Sequence, residues 1–115
     1  MTSPSFQMPN EHDLVEFFCS EPLERSIEDG YWCYEVAGLH GTSLRFSLNV
    51  YERSVQTVVQ VGSISLATVS HEMATRLTLD GSDLRCEFLA TDCCTTLTIH
   101  AAEGYRCVWS TLQTE

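Results

Sequence analysis

Six cysteines and four histidines are the first candidates for chemistry in this 115-residue chain. The thiols are Cys19, Cys33, Cys86, Cys93, Cys94 and Cys107; the imidazoles are His12, His40, His71 and His100. A zinc site draws its ligands from closely spaced pairs such as C-x-x-C or H-x-x-x-H, and neither pair occurs. The nearest approach is the vicinal Cys93-Cys94 followed by His100. Vicinal side chains on a strand point to opposite faces, so two such thiols do not suit one tetrahedral ion. A nucleophilic cysteine needs a base within reach and an electropositive setting. The chain is acidic, which favours the thiol over the thiolate. It has no G-x-S-x-G elbow and no glycine-rich phosphate cradle. All six basic residues are Arg, so Schiff-base chemistry and a P-loop lysine are excluded. No metal, cofactor or catalytic residue is assigned on this reading.

The acids are more informative. Sixteen carboxylates against six Arg give a net charge of −10, which argues against unaided binding to nucleic acid or to an anionic membrane. The charge is unevenly placed. Glu11, Asp13, Glu16, Glu21, Glu24, Glu28, Asp29 and Glu35 face one base, Arg25, within 25 residues, a net −7. The rest of the chain carries only −3. A solvated face explains such a cluster, and so does a surface that steers a basic protein partner. Tyr31, Trp32 and Tyr34 adjoin it, and aromatic anchors beside charges are typical of interface hot spots. The candidate contacts are therefore Glu11, Asp13, Glu16, Glu24, Glu28 and Asp29, with Trp32 as an anchor. A second reading uses Glu35, Glu87, Arg45 and His100 as polar groups of a cavity inside a curled sheet. They would serve a small-ligand binder or a small enzyme.

These residues need elements to hold them. Residues 1–9 contain two prolines and no periodicity, and read as a flexible arm. From residue 10 to 115 the pattern is that of one α+β domain. Asn10 is a good N-cap, and Glu11 and Asp13 suit the first turn of a helix. Leu14, Phe17 and Phe18 form one apolar stripe. Pro22 predicts a helix end near Ser20 or Glu21. From Gly30 onward the apolar period becomes two. Alternating runs at 31–36, 44–50, 55–61, 63–69, 75–79, 84–88, 95–99 and 105–109 predict seven to eight antiparallel strands. Val69 falls out of phase with Ile64, which predicts a slip or bulge between them. Asp80-Gly81-Ser82-Asp83 is the best hairpin turn. The expected architecture is an N-terminal helix packed on a curled meander, as a half-barrel or a sandwich.

The N-terminus has neither the basic nor the apolar stretch of a signal peptide, and no run is apolar enough for a membrane helix. A cytoplasmic chain with free, mostly buried thiols is expected.

Tyr51-Glu52-Arg53-Ser54-Val55-Gln56, with its flanking strands, resembles the central strand pair of small bacterial immunity proteins. These belong to polymorphic-toxin and contact-dependent growth-inhibition systems. Cys107-Val108-Trp109-Ser110-Thr111-Leu112 is similar to their aromatic C-terminal strand, and the helix-then-meander layout is similar too. The resemblance implies a non-enzymatic protein that binds one cognate toxin domain and blocks its active site. Such toxins are often nucleases with basic clefts, which an acidic surface would suit. Neither nucleic acid nor membrane is an expected partner, and the chain would be a monomer or a homodimer.

Overall fold

A computed structural model describes residues 6–89, 93–102 and 104–113, without the side chains of residues 93, 94, 112 and 113. Among the described residues one helix, α1 (Glu11–Phe18), precedes nine strands. The first five are β1 (Glu24–Ser26), β2 (Tyr31–Ala37), β3 (Ser43–Asn49), β4 (Ser54–Val61) and β5 (Ile64–His71). The last four are β6 (Ala74–Asp80), β7 (Asp83–Phe88), β8 (Cys93–Ala101) and β9 (Tyr105–Gln113). The α+β class holds, but nine strands replace the expected seven to eight.

Of the half-barrel and the sandwich expected, the described strands form the second and not one curled sheet. The meander divides into two open antiparallel sheets, β1-β2-β3-β4-β5 and β6-β7-β8-β9. The division falls at Glu72-Met73, where Met73 takes φ 69° and turns the chain out of the first sheet. β6 then leaves β5 unpaired. The Ala74 amide donates to the Arg53 carbonyl at 2.9 Å, and the Leu89 amide donates to the Met73 carbonyl at 2.8 Å. These bonds satisfy backbone groups at the corner where the sheet ladder is interrupted.

The two sheets share one core. Tyr34, Val36, Leu44, Phe46, Leu48 and Val55 meet Leu77, Leu84, Cys86, Phe88, Leu97 and Ile99. Between the sheets, the Trp109 indole N–H donates to the Thr57 hydroxyl at 2.8 Å. The helix adds to the same core. Phe18 stacks on Tyr34 (ring centroids 4.7 Å apart) and on Phe46 (5.7 Å), and lies 5.8 Å from Tyr105. It therefore touches rings of both sheets. Phe17 remains half-buried against Tyr105.

The helix starts as expected: the Asn10 side chain accepts from the Asp13 amide at 2.9 Å. It ends earlier than Pro22 implies. Cys19 adopts the left-handed conformation (φ 53°), its amide bonds to the Glu16 carbonyl, and the Ser20 amide bonds to the Val15 carbonyl. This paired closure satisfies carbonyls of the last turn and stops the helix at Phe18.

Of the N-terminal arm, residues 1–5 lie outside the described residues. Phe6 is buried. Gln7 forms a parallel bridge on β6, donating to the Thr75 carbonyl at 3.1 Å and accepting from the Leu77 amide at 2.7 Å.

The irregularity expected between Ile64 and Val69 is present. Val59 pairs with Ala67 but Gln60 pairs with Ser65, so Leu66 is the extra residue. The strand absent from the sequence reading is β1. It is held by a turn in which the Ser26 hydroxyl donates to Asp29 Oδ2 at 2.8 Å. Gly30 closes that turn at φ 66°, where a Cβ would meet Val50 Cγ2 at 2.7 Å; only glycine fits both demands.

Candidate partner-binding surface

The acidic residues of the first third fall into two groups. Glu11, Asp13 and Glu16 stand on α1. Glu24, Glu28 and Asp29 stand on the β1–β2 hairpin, all exposed. One ion pair ties the groups together: Arg25 Nε lies 2.8 Å from Glu11 Oε1. Glu11 is thus half-buried and neutralised within the molecule. Glu16 lies 3.3 Å from His12 Nε2, with both side chains largely in solvent. Asp29 accepts from Ser26, so it shapes its own turn as well as carrying charge.

Asp13 lines clefts shared with the second sheet. With Glu16 and Phe17 it lines a cleft closed by Leu79 and Gly81 of the β6–β7 turn. Exposed Asp80 belongs to that turn. Asp80 was legible only as a turn residue, and no linear pattern places it beside the helix acids.

Trp32 is half-buried and packs against the core. It pairs with Leu48 on β3 and with Arg25 on β1, on the side of the sheet that also carries Tyr34 and Val36. Its indole N–H has no hydrogen-bond partner among the described residues.

The cavity residues do not converge. Glu35 pairs with Arg45 at 3.5 Å on the first sheet. Glu87 Oε2 accepts two bonds from Arg76, at 3.1 and 3.0 Å, on the second. His100 Nδ1 lies 2.7 Å from Asp83 Oδ1 near the β6–β7 hairpin. None of Glu35, Glu87, Arg45 or His100 lines the described clefts. An apolar cleft lined by Leu44, Val59, Tyr105 and Cys107 holds about 240 Å³; two more open clefts, along β6 and at the β6–β7 turn, hold about 360 and 310 Å³, the low end of the roughly 300–1,000 Å³ of small-molecule sites.

No group of three or more potential metal ligands occurs among the described residues. The side chains of Cys93 and Cys94 lie outside them. Of the other thiols, Cys33 and Cys86 are buried, Cys107 is half-buried and Cys19 is exposed at the helix end. Burial pushes the Cys33 and Cys107 thiols up, and raises Cys86 to about 12 with a further contribution from Glu87. These three are held as thiols, the opposite of what a nucleophile needs.

The architecture defined here is a small α+β domain of two open antiparallel sheets, closed at one end by a capped helix. It is shared, nearly end to end, with a chain of a contact-dependent growth inhibition toxin–immunity protein complex from Klebsiella pneumoniae 342. The two superpose with a TM-score of 0.80 at 20% identity, over 92% of this chain and 96% of that one. No family model matches the sequence, and no curated protein does. What the match shows is a fold shared with one chain of a toxin–immunity complex.

No described helix is long and apolar enough to cross a membrane.

Proposed function

We propose that this chain is the immunity member of a toxin–immunity pair: it binds a cognate toxin domain and blocks its active site. The observation that carries this reading is the end-to-end fold match to a chain of a toxin–immunity complex. That complex has two kinds of member, and the side chains favour the inhibitor. Glu35, Glu87 and His100 are each engaged with a separate Arg or Asp partner. Three described thiols are held protonated by burial. The net charge of −10 suits a protein that covers a basic groove.

The acidic flank of α1 and the β1–β2 hairpin is the surface we assign to the toxin, with Glu16, Glu24, Glu28 and Asp29 as exposed charges on it. It imitates the charge of a polyanionic substrate, so the fitting toxin is a nuclease or another enzyme with a basic cleft. Binding takes place in the cytoplasm, where such a toxin would act.

Coexpression with the toxin domain encoded beside this chain's gene tests the reading. Growth should be restored and the two proteins should copurify. Growth inhibition by this chain alone would make it the toxin member. Absence of both rescue and copurification would overturn the pairing.

A further inference from the structure

Among the described residues four strands end the two sheets, and three of them carry a charge or a covering bridge. β1 is three residues long and carries Glu24 and Arg25. β6 carries Arg76 and is partly covered by the Gln7 bridge. β9 carries Arg106 and is touched by Gly38 at its start. Short length, charge and coverage are the ordinary devices that stop sheet edges from pairing with other chains.

β5 has almost none of them. It is eight residues long. Positions 54–71, both strands of its hairpin, contain no Asp, Glu, Lys or Arg. Ile64, Leu66 and Val69 are 66%, 59% and 36% exposed. The bulge at Leu66 disturbs only the first part of the strand and leaves Ala67–His71 in regular register.

We propose that β5 is a self-association edge, on which a second copy of this chain pairs its own β5 antiparallel. The charge distribution selects this occupant. Two chains of −10 repel each other over most of their surfaces, and the β4–β5 end is where neither brings a charge. A basic partner gains nothing at an uncharged edge and is drawn to the opposite end of the sheet. Antiparallel β5–β5 pairing is self-complementary, so it closes at two copies. It joins the two five-stranded sheets into one continuous sheet and leaves both acidic flanks free. A single eight-residue edge is a small interface, so the dimer depends on concentration.

Sedimentation velocity over a dilution series tests this. Wild-type protein should sediment near twice 12.9 kDa. That mass is expected at about 0.5 mM, falling toward one copy on dilution. Thr68→Lys and, separately, Leu66→Lys place like charges across the two-fold and should weaken the dimer at least about tenfold. Both residues are exposed, and far-UV circular dichroism confirms that each variant is folded. Glu28→Gln, at the far end of the sheet, should not weaken it. A wild-type chain that is monomeric at about 0.5 mM overturns the proposal. So does a dimer indifferent to both Lys variants. If wild type is monomeric and Thr68→Lys abolishes toxin capture, the edge belongs to the toxin instead.

Discussion

The five-stranded sheet has two unlike ends. At one, a three-residue strand bearing Glu24 and Arg25 is pinned to the helix through Glu11 and surrounded by acids. At the other, an eight-residue strand without a charge stands in solvent. The first end carries the acids that the proposed toxin contact uses; the second offers backbone and apolar side chains, as the proposed self-pairing requires. On these two proposals, one scaffold separates two kinds of recognition that would interfere if they overlapped. Long-range attraction needs charge, whereas strand pairing between like-charged molecules needs its absence.

Phe18→Ala removes the ring that holds α1 against both sheets and should cost about 3–5 kcal/mol, as for other buried aromatic truncations. Urea unfolding measures it. If the loss is below about 1 kcal/mol, the acidic flank is not anchored as described.

The next test concerns the tie between β4 and the second sheet. Thr57→Val keeps the shape of a 2% exposed residue but leaves the Trp109 N–H without its acceptor. A loss of about 1–3 kcal/mol is expected, again by urea unfolding.

Alkaline pH distinguishes the core from its edges. Burial, with Glu11 and Glu21 nearby, raises the Tyr34 phenol from 10.0 to about 12. Burial raises Cys86 from 9.0 to about 12. Both folded-state values lie above the unfolded ones, so the folded chain keeps protons that the unfolded chain releases. Stability is full below pH 9, then falls as pH rises toward about 12. Tyr34→Phe should remove the phenol's share of that fall. At neutral pH it should be neutral or slightly stabilising, because the buried hydroxyl has no hydrogen-bond partner among the described residues. A steep loss at pH 7 on this substitution would reveal a partner for the hydroxyl.

The smallest effect on stability sharpens the charged end. Glu24→Gln, Glu28→Gln and Asp29→Asn together should shift stability by less than about 1 kcal/mol. Toxin association should slow several-fold at low salt, and the difference should fade as salt is added. Stopped-flow association kinetics measures it. Equal rates at low salt would remove the steering role from these acids.

Much of this was written in local pattern. The Asn10 cap, the alternation from Leu44 to Val50, the Asp80-Gly81 turn and the slip between Ile64 and Val69 all follow from neighbours in sequence. What escaped was decided by distant partners. β1 is too short and polar to show a period, and exists because β2 offers it an edge; Ser26 and Asp29-Gly30 were its only local trace. A sandwich was among the expected forms, but the place of its division, Met73, escaped because a backbone turn by a non-glycine residue carries no compositional mark. At the candidate surface, the density of acids was plain. The Glu11–Arg25 pair, the inward packing of Trp32 and the approach of the Asp80 turn depend on how the helix lies across the sheets.

The single crossing at Glu72-Met73 also sets the order of events during synthesis. All five strands of the first sheet precede all four of the second. A growing chain can therefore pair its first sheet while the second is still unmade. Until Leu84, Cys86, Leu97 and Ile99 emerge, Leu48 and Val55 have no opposing sheet, and Tyr34 and Phe46 have only Phe18 of α1 stacked on them. The Gln7 bridge must wait for β6 as well. A chain halted before β6 would present an apolar face beside an uncharged edge, the kind of exposure that invites aggregation and chaperone binding.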